Sequence, residues 1–467
     1  MTMIAVPESI WANAQAHLFG GEGERFGFFL AGIAKSADGL RLCVKEFVPI
    51  RDEDIETDIE IPRDIKLNVL LGVINRAKRT ASALIENHNH FGSSGKPTFS
   101  SIDHEGLKEF STYVMKSLDG RPYAALVWDL KSVDGLCWEK PGSPRAVSRV
   151  VVSGGNQSVI VPTSARTRRL GPRPVDDRAQ RQILLLGNEG QARIGASRIA
   201  IVGLGGTGSH VAQQLAHLGV RDFVLIDPDV VECSNLNRLI GASSTDIGRP
   251  KVQVAERTLQ RIAGRKELRV SPLQCDLRDS RAFGAIASSD VVFGCVDNDG
   301  ARLILNEISR ALVLPYIDSS CGIQAKEGSL EEAGGRVALV QPDGPCLDCM
   351  TEIDRAEANY FLSSPEKRAQ DRKLGYVAGW DVKAPSVVSF NGVVASAAVS
   401  EFLLCVTGLR PTAPLVYYYV RSPDADSQRM VQRKVGKIPE CYSCSLAGLG
   451  DAIGFERYSS RSTAFGC

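Results

Sequence analysis

The chain is 467 residues long and 43% hydrophobic, and its 55 basic and 54 acidic side chains leave a formal net charge of +1. A chain of this length is expected to divide into two or more domains. The even mixture of charges gives no indication of a nucleic-acid or membrane partner, and no run approaches the roughly 18 apolar residues of a membrane helix. The start, MTMIAVPESIWANAQAHLF, lacks the basic and apolar regions of a secretory signal. Twelve cysteines without such a signal favour a reducing compartment, so we expect a soluble cytoplasmic protein.

Two kinds of pattern follow one another along the chain. Up to residue 162, β-rich runs such as RFGFFLAGIA alternate with helical ones such as DHEGLKEFSTYVMKSL, which predicts a mixed α/β domain over residues 1–162. Residues 163–177 are basic, contain proline and lack periodicity, so they predict a linker. Over residues 178–447, buried strands such as RIAIVG and DFVLID alternate with helices, which predicts an α/β domain with a Rossmann-like parallel sheet. The small and polar residues 448–467 predict a flexible tail.

Three of the six histidines fall in the stretch SALIENHNHFGSSGKPTFSSIDHEG. His88 and His90 lie two residues apart at the end of a predicted strand, so side-chain alternation sends both imidazoles to one face. Asp103 follows a loop rich in Gly and Ser. These three N/O ligands leave the fourth tetrahedral position open for water, as in catalytic zinc sites. The pattern His-x-His alone is also compatible with two surface histidines beside a loop.

The segment HNHFGSSGKPTFSSID resembles the JAB/MPN (JAMM) metalloprotease signature, and GERFGFFLAG resembles the glutamate-bearing strand of that family. The resemblance implies a hydrolase that cleaves amide or isopeptide bonds after the C-terminal glycine of ubiquitin-like proteins. It also implies roles for five side chains: His88, His90 and Asp103 as zinc ligands, Glu24 as general acid/base, and Ser100 as support for the oxyanion or the zinc-bound water. The chain departs from the family at Phe91, where a proline is usual, and in a loop to the aspartate that is two residues longer.

A glycine-rich turn opens the second pattern, in IAIVGLGGTGSHVAQQLAHLGV. Gly203, Gly205 and Gly208 satisfy G-x-G-x-x-G between a strand and a helix, and Gly206 adds a further glycine to the turn. Asp227 ends the next strand, 19 residues after Gly208. Such a loop presents backbone amides to phosphate while the carboxylate meets ribose hydroxyls, so these features alone indicate an NAD-dependent dehydrogenase.

The residues beyond the ribose aspartate favour a different nucleotide. Asn235, Arg238 and Lys251 follow it closely, and Asp297 ends a later strand, where open sheets bind their ligands. Two cations and a free carboxylate suit a triphosphate with magnesium better than the pyrophosphate of a dinucleotide. Phosphate-transfer chemistry needs positive groups on the departing pyrophosphate and a metal-binding carboxylate.

From about Arg178 to Cys444 the chain resembles the ThiF/MoeB/ubiquitin-activating adenylyltransferase superfamily, with RQILLLGNEGQARIGASRIAIVGLGGTGS close to its opening segment. The resemblance implies that a C-terminal glycine carboxylate attacks the α-phosphate of ATP and gives an acyl-adenylate and pyrophosphate. It implies these contacts: Asp227 to ribose, Asn235, Arg238 and Lys251 to the phosphates, Asp297 to magnesium. Arg181 matches the arginine that reaches the ATP of a neighbouring subunit, which implies a homodimer.

Two C-x-x-C pairs, in PCLDCM and ECYSC, supply four thiolates for a closed, structural zinc site: Cys346, Cys349, Cys441 and Cys444. The same pairs occur in the ThiF/MoeB branch. Members that form a thioester carry a cysteine in the loop after the first pair, and TEIDRAEANYFLSSPEKRAQDRKLGYVAGWDVKAPSVV has none. Cys405 lies in an apolar helix, which leaves Cys321 and Cys467 as accessible thiols. We therefore expect adenylation without a thioester on that loop.

The two resemblances together favour a bifunctional enzyme that activates a ubiquitin-like (β-grasp) protein at its C-terminal glycine and also trims or deconjugates that protein. Sulfur-carrier activation and bacterial antiphage conjugation, the latter with a ubiquitin-conjugating-like partner, both remain open. One alternative is an adenylyltransferase that acts on a short peptide. Another makes the first domain a binding scaffold for the ubiquitin-like protein.

Overall fold

A computed structural model describes most of the chain: residues 1–21, 23–56, 65–90, 96–130, 132–155, 157–160, 162–164, 177–264, 268–326, 329–374, 385–421 and 429–458. The chain divides into two compact units. The first unit holds Met1–Pro174 together with Ala311–Val313 and Ala447–Ile453, and the second unit holds the rest. Most of the predicted linker, residues 165–176, lies outside the described residues.

Among its described residues, the first unit contains one mixed sheet and three α-helices. Its strands are β1 Thr2–Pro7, β2 Phe26–Ser36, β3 Gly39–Pro49, β4 Ala83–Asn89, β5 Tyr123–Trp128, β6 Val133–Trp138, β7 Arg145–Ser153 and β8 Ser158–Ile160. Its helices are α1 Glu8–Phe19, α2 Leu67–Arg79 and α3 Ser101–Ser117. The strand order is β1-β3-β2-β4-β5-β6-β7-β8, and β1 also pairs with β7.

Both faces of this sheet are covered by apolar side chains. Phe29 and Ala31 of β2 belong to a buried cluster with α1, whereas Phe28 and Leu30 belong to a second cluster with α2 and α3. The side chains of β2 therefore contribute alternately to two separate hydrophobic cores, because successive side chains of a strand point to opposite faces of the sheet. This arrangement agrees with the predicted mixed α/β content. It also holds β4, whose end carries the two histidines, between β2 and β5 in the sheet.

The second unit contains a mixed eight-stranded sheet. Its strands are β9 Arg198–Val202, β10 Asp222–Ile226, β11 Arg269–Leu273, β12 Val291–Gly294, β13 Tyr316–Lys326, β14 Ser329–Val340, β15 Leu415–Arg421 and β16 Arg429–Arg433. Its helices are α4 Gln180–Ala196, α5 Gly206–Leu218, α6 Lys251–Ala263, α7 Ser280–Ala287, α8 Asp299–Ala311, α9 Leu347–Met350, α10 Arg355–Leu362, α11 Pro365–Lys373, α12 Val388–Thr407 and α13 Tyr442–Ser445.

The strand order in this sheet is β11-β10-β9-β12-β13-β14-β15-β16. The five strands from β11 to β13 are parallel, as the alternating pattern predicts, and form the Rossmann-like half. The prediction of a parallel sheet is wrong for β14, β15 and β16, which pair antiparallel. Only residues 327 and 328 separate β13 from β14, whereas a parallel crossover needs a dozen or more residues.

The core of the second unit packs β9, β10 and β12 against α5, α6 and α12. By length and composition, α12 could cross a membrane, contrary to the expectation from the sequence that no run comes near that length. Half of its apolar window is buried, and Val394, Ala398 and Phe402 lie in the core. Its apolar character is therefore explained by burial against the sheet.

The predicted tail begins with regular structure. Two short 3-10 helices, Asp451–Ile453 and Phe455–Arg457, lie within it, and Gly450 forms a bridge with Ile33 of β2. Residues 459–467 lie outside the described part of the chain.

Candidate functional site

The glycine-rich turn joins β9 to α5, and packing requires two of its glycines. Gly203 has a φ of +87°, and a Cβ there would lie 2.4 Å from the carbonyl oxygen of Cys295. A Cβ on Gly208 would lie 1.9 Å from the carbonyl oxygen of Gly203. Gly205 differs, because a Cβ there would meet no atom within 4 Å. The turn is therefore pressed against the end of β12, and the space outside Gly205 is open.

The carboxylate of Asp227, at the end of β10, ties this turn in place. Its two oxygens accept the backbone N–H groups of Leu204, at 2.6 Å, and Asp229, at 2.9 Å. Lys251 Nζ lies 3.9 Å from Asp227 and 2.7 Å from Asp229. Burial raises the pKa of Asp227, while Lys251 and the two backbone donors oppose that shift. The buried carboxylate of Asp227 thus holds together the glycine turn and the segment that leads to Lys251.

Arg238 places a cation at the start of α5. Its guanidinium donates to the Ser234 carbonyl at 2.7 Å and to Asn237 Oδ1 at 3.0 Å. Its Cδ lies 3.4 Å from the position that a Cβ on Gly206 would take. A helix N-terminus with a neighbouring arginine attracts anions through the helix dipole and the charge. Asn235 caps its own short turn, since its Oδ1 accepts the Glu232 N–H at 3.0 Å.

Asp297 follows β12 and is exposed, with Asn298 donating to its Oδ1 at 3.2 Å. Because β9 and β12 are adjacent parallel strands, Asp297 and the glycine turn share the carboxyl edge of the sheet. Arg181 is exposed on α4, three residues before the first of a pair of exposed leucines, Leu184 and Leu185. Its role toward a second copy stays a prediction.

Asn391 was missed by the sequence analysis. This asparagine is 3% exposed near the start of α12, and its Oδ1 accepts from Thr207 Oγ1 at 3.4 Å. A Cβ on Gly206 would lie 2.2 Å from its amide nitrogen, so a larger residue at 206 would displace the Asn391 side chain. The available signal was a polar residue inside the otherwise apolar run SVVSFNGVVASAAV.

The four cysteines of the two C-x-x-C pairs converge at α9 and α13. Their Sγ atoms lie within 4.8 Å of one another, with separations of 3.7 Å for Cys346–Cys349, 3.5 Å for Cys346–Cys441 and 3.6 Å for Cys349–Cys444. Zinc–sulfur bonds of about 2.3 Å in a tetrahedron place sulfurs about 3.8 Å apart. This donor set and spacing therefore fit a structural zinc ion.

His88, His90 and Asp103 converge in the first unit, with one ligand atom from each inside a 4.8 Å cluster. Asp103 Oδ1 lies 3.9 Å from His88 Nε2, and Asp103 Oδ2 lies 3.5 Å from His90 Nε2. His88 is 2% exposed, and within the described ranges neither of its ring nitrogens has a hydrogen-bond partner. Buried polar groups are rarely left in this state, so the imidazole is suited to a metal ion.

Ser100 and Asp103 form a capping box at the start of α3. Ser100 Oγ accepts the Asp103 N–H at 3.2 Å, and Asp103 accepts the Ser100 N–H at 2.6 Å. Ser100 therefore aims the carboxylate of Asp103, a role that the sequence analysis did not assign. Glu24 is exposed two residues before Phe26, the partner of His88 across the sheet. Phe91 and most of the longer loop, residues 91–95, lie outside the described residues.

Comparison with known proteins identifies the second unit. The sequence model of the ThiF family matches residues 179–442. The sulfur carrier protein ThiS adenylyltransferase of Escherichia coli is 39% identical over 42% of this chain and 85% of its own length. The molybdopterin-synthase adenylyltransferase of the same organism is 29% identical over 57% of this chain and 95% of its own length.

A third relative, the SAMP-activating enzyme E1 of Haloferax volcanii, is 34% identical over 37% of this chain. The match spans 61% of the length of that enzyme. Among solved structures, E. coli MccB with ATP covers 58% of this chain and 75% of its own, at 21% identity and a TM-score of 0.44.

Exchange of two glycines for alanine tests whether the turn binds phosphate. Gly208→Ala forces a Cβ against backbone and should cost on the order of 2 kcal/mol of stability. Gly205→Ala meets no atom, so its thermal unfolding should match wild type, yet its ATP affinity should fall about tenfold or more because phosphate must approach that backbone. Calorimetry and ATP titration measure both. An unchanged ATP affinity in Gly205→Ala would place the nucleotide elsewhere.

Zinc content per chain tests the two metal clusters separately. Cys444→Ser should lose one equivalent and His88→Ala the other, because each removes a ligand from one cluster only. His104→Ala is the matched control, since His104 is an exposed histidine beside the same cluster. Elemental analysis of the purified full-length variants gives the content. Equal zinc in wild type and His88→Ala would contradict a metal site in the first unit.

Proposed function

Because this chain belongs to the ThiF family, we propose that it uses ATP and Mg²⁺ to adenylate the C-terminal glycine of a ubiquitin-like or sulfur-carrier protein. The observation that carries the proposal is the convergence of the glycine turn, Asp227, Arg238 and Asp297 at one sheet edge. Curated relatives named as sulfur-carrier or SAMP activators support this substrate class.

Different residues at this edge of the sheet would contact the phosphates, the ribose and the magnesium ion of ATP. Backbone amides at the turn and the N-terminus of α5 receive phosphate oxygens, with Arg238 beside them. Asp227 keeps lone pairs for the ribose hydroxyls after accepting its two backbone donors. Mg²⁺, when bound at Asp297, neutralises charge on the departing pyrophosphate. Lys251 reaches the phosphates from its position between Asp227 and Asp229.

The proposed step is a displacement at phosphorus. A carboxylate oxygen of the partner's terminal glycine forms a bond to the α-phosphorus of ATP. The bond from the α-phosphorus to the bridging oxygen breaks, and pyrophosphate leaves with those electrons. The product is an acyl-adenylate, which is activated toward a sulfur or nitrogen nucleophile.

Two thiols of this unit, Cys321 and Cys295, do not favour a thioester as the next step. The exposed Cys233, two residues before Asn235, was not among the accessible thiols expected from the sequence. Burial raises the pKa of Cys321 to about 11 and that of Cys295 to about 12, so neither is a thiolate at neutral pH. The sequence between Met350 and Leu404 contains no cysteine. We propose that the acyl group of the adenylate passes to a thiol or sulfur donor on another protein, such as a conjugating-like protein, with release of AMP.

For the first unit we propose a JAB/MPN-like zinc peptidase that trims or releases the same glycine-ended protein. The buried His88 without a hydrogen-bond partner among the described residues, and the carboxylate of Asp103 aimed by Ser100, support a zinc site. Zinc, when bound there, lowers the pKa of a water molecule toward about 7. Glu24 would take the proton of that water and return it to the leaving amine, and Ser100 Oγ would support the oxyanion.

We further propose a homodimer in the cytoplasm. Arg181 and the exposed Leu184 and Leu185 on α4 offer a surface for a second copy. None of the eleven cysteines in the described part of the chain forms a disulfide, which suits a reducing compartment. The two proposed activities must both bind the same C-terminal glycine tail, which is consistent with their presence in one chain.

ATP–pyrophosphate exchange tests the adenylation proposal. Exchange should depend on a glycine-ended β-grasp protein, and Asp297→Ala should reduce its rate by about a hundredfold or more, since the carboxylate that holds Mg²⁺ is lost. Asp222→Ala is the control, because Asp222 starts β10, at the opposite end of that strand from Asp227 and the glycine turn. Failure of exchange with every glycine-ended partner, in protein that binds ATP, would contradict the proposal.

Cleavage of a ubiquitin-like protein fused through its terminal glycine to a reporter tests the peptidase proposal. Cleavage should vanish in Glu24→Gln and after removal of zinc, and should return with zinc in wild type only. Adenylation by Glu24→Gln should be unchanged because Glu24 lies in the first unit. Cleavage that survives both treatments would rule out this mechanism.

A further inference from the structure

A buried arginine, Arg302 of α8, contacts the backbone that precedes Asp297. Its Nη2 donates to the carbonyl oxygen of Val296 at 2.9 Å and to Ser320 Oγ at 3.2 Å. Its Nη1 donates to Asp299 Oδ1 at 2.6 Å. The residue is 8% exposed, so these groups are largely shielded from water.

The same guanidinium is the first member of a buried ion-pair network that crosses the sheet. Arg302 Nε lies 3.6 Å from Asp318 Oδ1, and Arg336 Nη1 donates to Asp318 Oδ2 at 2.5 Å. Arg336 Nε in turn lies 2.6 Å from Glu352 Oε2. The members alternate in sign, so each charge has an opposite partner. Burial lowers the pKa of Arg302, but the carboxylates of Asp318 and Asp299 outweigh burial and raise it.

A second set of contacts fixes the acidic end of this network. Asp299 Oδ2 accepts the backbone N–H of Asp354 at 2.6 Å, and the Asp299 N–H points to Glu357 Oε1 at 3.4 Å. Asp354 and Glu357 belong to the start of α10, which follows the first C-x-x-C pair. The loop that carries Asp297 is therefore held at Val296 by Arg302 and at Asp299 by α10.

We propose that Arg302 is a positioning residue for the magnesium-binding carboxylate: it fixes the peptide before Asp297 and thereby aims Asp297 at the phosphates. The inference rests on the proposed adenylation function. Burying a guanidinium with two carboxylates yields little net stability compared with an apolar side chain, so a purely structural role explains this network poorly. Two different guanidinium nitrogens bind the three acceptors, a spread that the single ammonium nitrogen of a lysine does not match.

The test measures ATP affinity of the full-length protein with and without Mg²⁺. Wild type should bind ATP more tightly with the ion. In Arg302→Lys the increase in ATP affinity on adding Mg²⁺ should be about tenfold smaller, because even a small displacement of the Asp297 carboxylate weakens its contact with the ion. The ATP affinity without Mg²⁺ should stay within about twofold of wild type. Arg269→Lys is the control and should keep the full gain, because Arg269 pairs with Asp222 at the starts of β11 and β10, the edge of the sheet opposite the glycine turn.

The outcomes separate the inference from the function on which it rests. A full magnesium-dependent gain in Arg302→Lys overturns the positioning role and leaves adenylation intact. A wild type with no gain overturns the assignment of Asp297 itself. If Arg302→Lys does not fold, Ser320→Ala decides, since it removes one acceptor without touching the charges. In Ser320→Ala the magnesium-dependent increase in ATP affinity should be about threefold smaller than in wild type, and an unchanged increase would overturn the inference.

Discussion

The geometry of the second unit depends on one carboxylate, that of Asp227. It stands at the carboxyl end of β10 and accepts the N–H of Leu204, inside the glycine turn, and of Asp229, ahead of Lys251. Two chain segments that both belong to the nucleotide site are therefore fixed to one strand end. A buried carboxylate is costly unless it is hydrogen-bonded, so the turn and the aspartate each require the other.

The two metal clusters follow a similar rule, in which local backbone geometry sets the ligands. In the first unit, strand alternation on β4 and a capping box on α3 bring two imidazoles and a carboxylate together. In the second unit, Cys346 and Cys441 are the N-cap residues of two short helices, α9 and α13, and Cys349 and Cys444 lie within those helices, which brings the four thiols together. Local secondary structure thus positions the metal ligands, including ligands that lie far apart in the sequence.

Local features of the sequence predict much of this molecule, and long-range contacts account for what they miss. The Rossmann-like adenylation domain is confirmed, because its strands, glycine turn and caps are each encoded within short stretches. The antiparallel half was mispredicted, and for β14 the reason is a connection from β13 that is too short for a crossover. Asn391 and the Arg302–Asp318–Arg336 network escaped notice because their partners lie far away in sequence. A short stretch of sequence does not show that a charged residue is buried when its ion-pair partner lies on another element of the fold.

The central claim is that the glycine-turn edge of the second unit activates a carboxylate with ATP. Mass spectrometry of glycine-ended β-grasp proteins, beginning with any encoded beside this one, tests it most directly. After incubation with the full-length protein, ATP and Mg²⁺, the account predicts that one partner gains a single AMP at its C-terminal glycine. This adduct should be absent without ATP. A protein that binds ATP at this edge but leaves every such C-terminus unmodified would contradict the account.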